Sequence, residues 1–198
     1  MKNNFLRILT VLVYFTSFSF FSMVSTQAIQ CGTSETPFLK NTNSDYAGNT
    51  SGWTGSINIS INVIVEGCTS VNKGNKVLKK TSITTTPTVN ATSNNPVESV
   101  STSYSKPITR SIKQDCAISN GSLVYNKSLI SAIKKSDPKT VMSCVLYTTS
   151  MVAKVSVKAK SVGVKDIKIG GGNKGSYSFS TTLTTLVAPT GDIYTSLI

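Results

Sequence analysis

The chain has no histidine, eight acidic residues, two arginines and a single tryptophan among 198 residues. Each shortage excludes something. Without histidine there is no imidazole general base, no Ser-His or Cys-His nucleophile and no imidazole metal ligand. The four cysteines form no C-x-x-C pair, which argues against zinc ribbons and thioredoxin-like redox sites. Eight scattered carboxylates leave little material for a calcium cage or a two-metal centre. No cofactor, no metal and no catalytic residue is therefore expected, and a non-enzymatic role is the leading expectation. Beyond residue 24, no apolar run approaches the ~20 residues of a membrane-spanning helix.

What is present begins with an address. Lys2 and Arg7 precede an apolar run from Ile8 to Val24, and Thr26 and Ala28 offer small side chains for cleavage after Ala28. This is the layout of a secretory signal peptide over residues 1–28. Ser and Thr within the run favour cleavage over a retained anchor. Gln30 stands before Cys31 where lipid attachment needs a small residue. The mature chain, residues 29–198, is then exported: periplasmic, surface-associated or secreted.

Export changes the meaning of the cysteines. In an oxidising compartment an even number of them reads as disulfides. Cys31, Cys68, Cys116 and Cys144 allow three pairings, and the sequential one, Cys31 with Cys68 and Cys116 with Cys144, is expected. Each link would close a loop of a few tens of residues and contribute roughly 3–4 kcal/mol by the chain-entropy estimate.

Residues 29–198 hold 26 Ser, 23 Thr and 13 Asn. Thr favours strands, and Ser and Asn favour turns and caps. The periodicity agrees. Ile57, Ile59, Ile61, Val63 and Val65 alternate with polar or outward positions, as in a half-buried strand. Met151, Ala153, Val155, Val157 and Ala159 alternate likewise. So do Tyr177, Phe179, Leu183 and Val187. Val141–Tyr147 reads as a shorter strand covered on both faces. Weaker signals mark strands at Val97–Tyr104, Ile108–Ile118, Val162–Ile169 and Ile193–Leu197. Ser128 is the expected cap of one two-turn helix ended by Asp137-Pro138. Turn signals at Asn49–Gly52, Asn72–Asn75, Asn120-Gly121 and Gly170–Gly175 punctuate the rest. The expected fold is all-β: one antiparallel sandwich, immunoglobulin-like or jelly-roll-like, over residues 29–198. The Ser/Thr/Asn/Pro-rich stretch 84–107 is a loop, an edge strand or an internal junction.

Candidate chemistry is sparse. Four S-x-x-K spacings occur, at Ser70/Lys73, Ser103/Lys106, Ser131/Lys134 and Ser136/Lys139, no more than chance supplies. The K-T-G and S-D-N partners of penicillin-recognising enzymes are missing. The glycine run around Lys174 lacks the G-K-[ST] of a phosphate loop and reads as a hairpin tip. Five N-x-[ST] sequons matter only if the source is eukaryotic.

The charge is more suggestive. The full chain carries a formal +12. Removing Lys2 and Arg7 leaves 18 basic against 8 acidic groups, or +10. Lys154, Lys158, Lys160, Lys165 and Lys168 form a candidate patch for anionic ligands such as acidic envelope polymers. The competing reading is a solvated face that discourages edge pairing. One mature Arg, and aromatics that do not interleave with the Lys runs, oppose nucleic acid as a partner. Trp53, in a Gly-flanked loop, is a candidate anchor for a partner or a lid over the core.

Two function classes follow. The first is an exported non-enzymatic β-protein of the cell envelope or extracellular space, acting through surface contacts with a protein partner or an anionic polymer. Within it, a signal peptide followed by a disulfide-linked strand resembles fimbrial subunits in architecture. A surface or secretion-system product, including a virulence factor, fits equally. The second class is a hydrolase of envelope polymers that works without His.

Overall fold

The computed structural model describes residues 29–48, 55–94, 98–159 and 175–197. The expected signal peptide, the Asn49–Gly52 turn and the expected strand Val162–Ile169 lie outside them.

The described chain is all-β with one helix. Nine strands run in order: β1 (Thr36–Gly48), β2 (Gly55–Asn72), β3 (Asn75–Ser93), β4 (Glu98–Tyr104), β5 (Ile108–Ser119), β6 (Ser122–Val124), β7 (Met142–Ala159), β8 (Gly175–Val187) and β9 (Ile193–Leu197). The helix α1 (Lys127–Ser136) and a single 3-10 turn (Pro138–Thr140) lie between β6 and β7. One antiparallel sheet has the order β1-β2-β3. The other has the order β6-β5-β7-β8-β9, with β4 also paired to β7.

The two sheets face each other across one apolar core. Ile57, Ile59, Ile61, Val63 and Val65 of β2 meet Met151, Ala153, Val155 and Val157 of β7 and Leu183 and Val187 of β8. Strict two-residue alternation puts these side chains on one face of each strand. On the outer face of the first sheet, Asn62 Nδ2 donates to Asn41 Oδ1 (3.0 Å) and Asn43 Oδ1 (2.9 Å) on the neighbouring strand.

The strands are longer than the turn signals suggest. The expected strands Val141–Tyr147, but for Val141, and Met151–Ala159 belong to one 18-residue strand, β7, because the intervening Thr148, Thr149 and Ser150 keep the extended backbone. The stretch 84–107 contains the end of β3, all of β4 and the passage from one sheet to the other. Pro87 sits in β3 opposite Ile61. It is tolerated there because β3 is hydrogen-bonded on one side only, and an edge strand can spare an N–H. Its outward neighbours are Thr84, Thr86 and Thr88, whose lack of apolar residues hides the alternation. The chain from residue 36 is also extended, as β1, although its sequence shows no alternation of its own.

β4 and β5 lie end to end along the same edge of β7. The break falls at Ser105-Lys106-Pro107. There Ser105 N–H donates to Val152 O (2.8 Å), and Ser105 Oγ accepts from Val152 N (2.9 Å). The serine hydroxyl thus replaces a backbone carbonyl where the ladder is interrupted.

Two hairpins close as their sequences indicate. Lys73-Gly74 and Asn120-Gly121 all have positive φ, which matches the twist of two-residue hairpin turns. The helix starts two residues earlier than expected. Asn126, not Ser128, is its cap, accepting from Ser128 N (3.0 Å) and Leu129 N (3.3 Å). Asn126 is the residue whose backbone is still extended, so its side-chain Oδ1 can reach the first free amides.

Both disulfides join the sequential pairs. Cys31–Cys68 holds the segment before β1 to the end of β2. Cys116–Cys144 ties β5 to β7 beneath a second small cluster formed with Leu186, Ala188, Leu123 and Tyr125. The four buried or half-buried sulfurs are all committed.

Candidate functional site

Alternation on β7 turns Lys154 and Lys158 outward, and both are exposed. They stand about 13 Å apart along the strand at the ordinary rise per residue. The register surrounds them with hydroxyls: Lys154 lies between Ser103 of β4 and Ser178 of β8, and Lys158 lies beside Ser99. Ser156, between the two lysines, bonds Ser176 Oγ at 3.1 Å. The result is a cationic, hydroxyl-rich outer face spanning β4, β7 and β8. Lys160, Lys165, Lys168 and Trp53 lie outside the described residues.

The catalytic candidates are engaged elsewhere. Ser131 Oγ donates to Lys127 O (2.8 Å), while its partner in spacing, Lys134, reaches Asp115 Oδ2 at 3.2 Å. Both ends of that ion pair are more than half exposed, so it contributes at most ~1 kcal/mol. Ser136 Oγ donates to Ala132 O and Ile133 O. These are the back-bonds that hydroxyl side chains make inside helices. Asp137 accepts from Lys139 N at the start of the 3-10 turn. Asp192 accepts from Thr190 Oγ1 in the β8–β9 turn. Asp45 and Glu66 share the outer face of the first sheet. Their register partners Ser60 and Leu39 set them six positions apart, about 20 Å along the strands. Among the described residues these carboxylates do not converge as an acid/base pair.

One group of potential metal ligands is close together: Cys31, Glu35 and Cys68. Its two sulfurs form a disulfide, and Glu35 Oε2 accepts from Gly32 N at 2.8 Å. The carboxylate closes a local turn, and the oxidised sulfurs have no thiolate to offer a metal.

Two open concavities are built from residues that no motif in the sequence brings together. One, of about 550 Å³, lies between the Lys73-Gly74 hairpin and the 3-10 turn, with Lys76 and Lys139 on its walls. The other, of about 740 Å³, is an apolar groove on the outer face of the second sheet, lined by Gln114, Leu123, Tyr125, Leu129 and Tyr194. Gln114 Nε2 donates to Tyr125 O (2.8 Å) and fixes the groove wall. These residues come from three separate stretches of chain, so no local motif announces them.

Among the described residues, no helix is long and apolar enough to cross a membrane. Comparison with protein-family models, curated proteins and solved structures finds no match to this chain.

Proposed function

We propose that the protein is an exported, non-enzymatic β-protein of the cell envelope or extracellular space that acts through surface contacts. In this reading residues 1–28 are a cleaved signal peptide, and residues 29–198 form one domain whose facing sheets make a sandwich. The observation that carries it is a contrast. Ser131, Ser136, Asp115, Asp137 and Asp192 are spent on helix back-bonds, turns and an exposed ion pair. The exposed lysines Lys154 and Lys158 instead stand on a broad serine-rich face. Lysine among hydroxyls suits anionic groups, because the ammonium supplies charge and the hydroxyls supply hydrogen bonds. The two disulfides support an oxidising destination.

Expression of the tagged full-length chain in a bacterial host tests this reading. The expected product is exported, begins at Ile29 and lacks four hydrogens relative to the fully reduced form, one pair for each disulfide. Cytoplasmic retention with four titratable thiols overturns it. So does release of soluble fragments from purified envelope polymer by the mature protein.

A further inference from the structure

Among the described residues, three of the four sheet margins are guarded. On the first sheet, β1 is met by β9, where Ser44 Oγ donates to Thr195 Oγ1 at 3.2 Å. At the opposite margin, β3 carries Pro87 and is met by β4, where Thr102 Oγ1 donates to Val89 O at 2.9 Å. The margin formed by β5 differs. From Ile108 to Cys116 it pairs with β7 on one side. On its other side β6 pairs only with Ala117–Ser119. Among the described residues, no strand lies along the other side of Ile108–Cys116.

This stretch is also bare on both faces. Residues 108–113 are all exposed, and Ile108 and Ile112 remain 66% and 57% accessible. They sit four residues apart on the outer face, with Arg110 between them. Gln114, next on the same face, forms one wall of the apolar groove. An open strand edge with exposed Ile is a template for pairing. Its charge decides with what. Lys106, Arg110 and Lys113 line it, while the nearest acid, Asp115, is occupied by Lys134. A second copy paired antiparallel about Arg110 would set the two Arg110 side chains directly opposite each other, a like-charge cost. An acidic partner would meet complementary charge instead.

We propose that the free edge of β5, from Ile108 to Asp115, accepts an extended acidic segment of a partner protein as an added strand. Main-chain hydrogen bonds supply the affinity, Ile108 and Ile112 seat apolar side chains on the outer face, and Arg110 between them and Lys113 on the opposite face select acidic ones. This rests on the reading of the protein as one that acts through surface contacts, and it supplies the site and partner class.

The test uses the disulfide-bonded mature chain and two end-blocked nine-residue peptides. One places valine opposite Ile108 and Ile112, glutamate opposite Arg110 and Lys113, and threonine elsewhere; the other has lysine in place of glutamate. The expected result is binding of the glutamate peptide, with amide exchange of residues 108–115 slowed at least about tenfold at saturation. Arg110→Glu combined with Lys113→Glu, at an unchanged melting temperature, should weaken that peptide by about tenfold or more and favour the lysine peptide. Equal binding of both peptides, no binding, or protection located elsewhere overturns the proposal. So does a peptide-free dimer in which residues 108–115 are already protected, since the occupant is then a second copy. Failure here with a correctly exported protein leaves the surface-acting role standing. Cytoplasmic retention overturns that role while peptide binding can still be measured.

Discussion

The hydroxyl of Tyr147 on β7 shares a hydrogen bond with the hydroxyl of Thr81 on β3, so the two sheets are joined by a polar contact at the rim of the core. Tyr147 is 7% exposed. Burial raises its pKa above the usual 10.0, and the bond to Thr81 partly opposes that rise. The nearby positions are also pinned. Gly67, the register partner of Thr81, precedes Cys68, and Cys144 is three residues from Tyr147. Both disulfides therefore lie toward this end of the sheets.

Tyr147→Phe is expected to cost about 1 kcal/mol at neutral pH, the net value of a typical hydrogen bond. A raised folded-state pKa means the folded state holds this proton more tightly than the unfolded state. The contribution is thus fully present below pH 10 and is lost as pH rises through 10 toward the folded value. Urea midpoints of both proteins at pH 7 and pH 10.5 check this: the gap between them should shrink at the higher pH. A gap that widens refutes the linkage.

Gly67 lies under the ring of Phe38, its cross-strand partner. A Cβ at Gly67 would come within 2.4 Å of that ring and 2.8 Å of Lys80 O. An aromatic ring covering a strand glycine is a recognised stabilising pair. Gly67→Ala should therefore destabilise by about 1–3 kcal/mol, the usual range for overpacking. Thermal unfolding read by circular dichroism checks it. An unchanged melting temperature would show that Phe38 swings away at no cost.

Thr181 and Thr185 place their hydroxyls on the inner face of β8, buried and without a hydrogen-bond partner. An unsatisfied buried hydroxyl carries a desolvation penalty that an apolar replacement of the same shape avoids. Thr185→Val is expected to stabilise by about 1 kcal/mol, with Thr181→Val acting in the same direction. Chemical denaturation of each variant is the measurement, and a lower midpoint counts against the account.

Ser105 repairs the ladder where β4 gives way to β5. Ser105→Ala removes the acceptor for Val152 N and should cost about 1–2 kcal/mol. It should also speed amide exchange at Val152 while leaving the centre of β2 unchanged. Ser105→Thr, which keeps the hydroxyl, should restore the protection.

The core strands were legible in the sequence because alternation of Ile and Val with polar residues has one physical meaning, a strand with one buried face. Ile57–Val65, Met151–Ala159 and Tyr177–Val187 were read this way and lie in β2, β7 and β8. The Lys73-Gly74 and Asn120-Gly121 turns were equally local, whereas the disulfides join cysteines 37 and 28 positions apart and the sequence allowed three pairings. β1 and β3 were harder to read. Their outward positions carry Asn and Thr and their inward ones include Thr42, Ser44, Thr85 and Pro87, so contrast between the faces is weak. The helix cap was misplaced because Ser128 and Asn126 are both good caps, and backbone conformation alone chooses between them.

The amino-acid sequence by itself determined the β character and the absence of imidazole chemistry. These follow from residue type and from spacings of two or three positions. Which strands pair, and which edge is left open, depends on contacts between residues far apart in the chain. Tyr147 meets Thr81 across 66 positions, and the groove draws on Gln114, Leu129 and Tyr194. Only the tertiary structure decided that Arg110 and Ile112 lie on a bare margin, because exposure belongs to what packs alongside a strand and is not written in the strand.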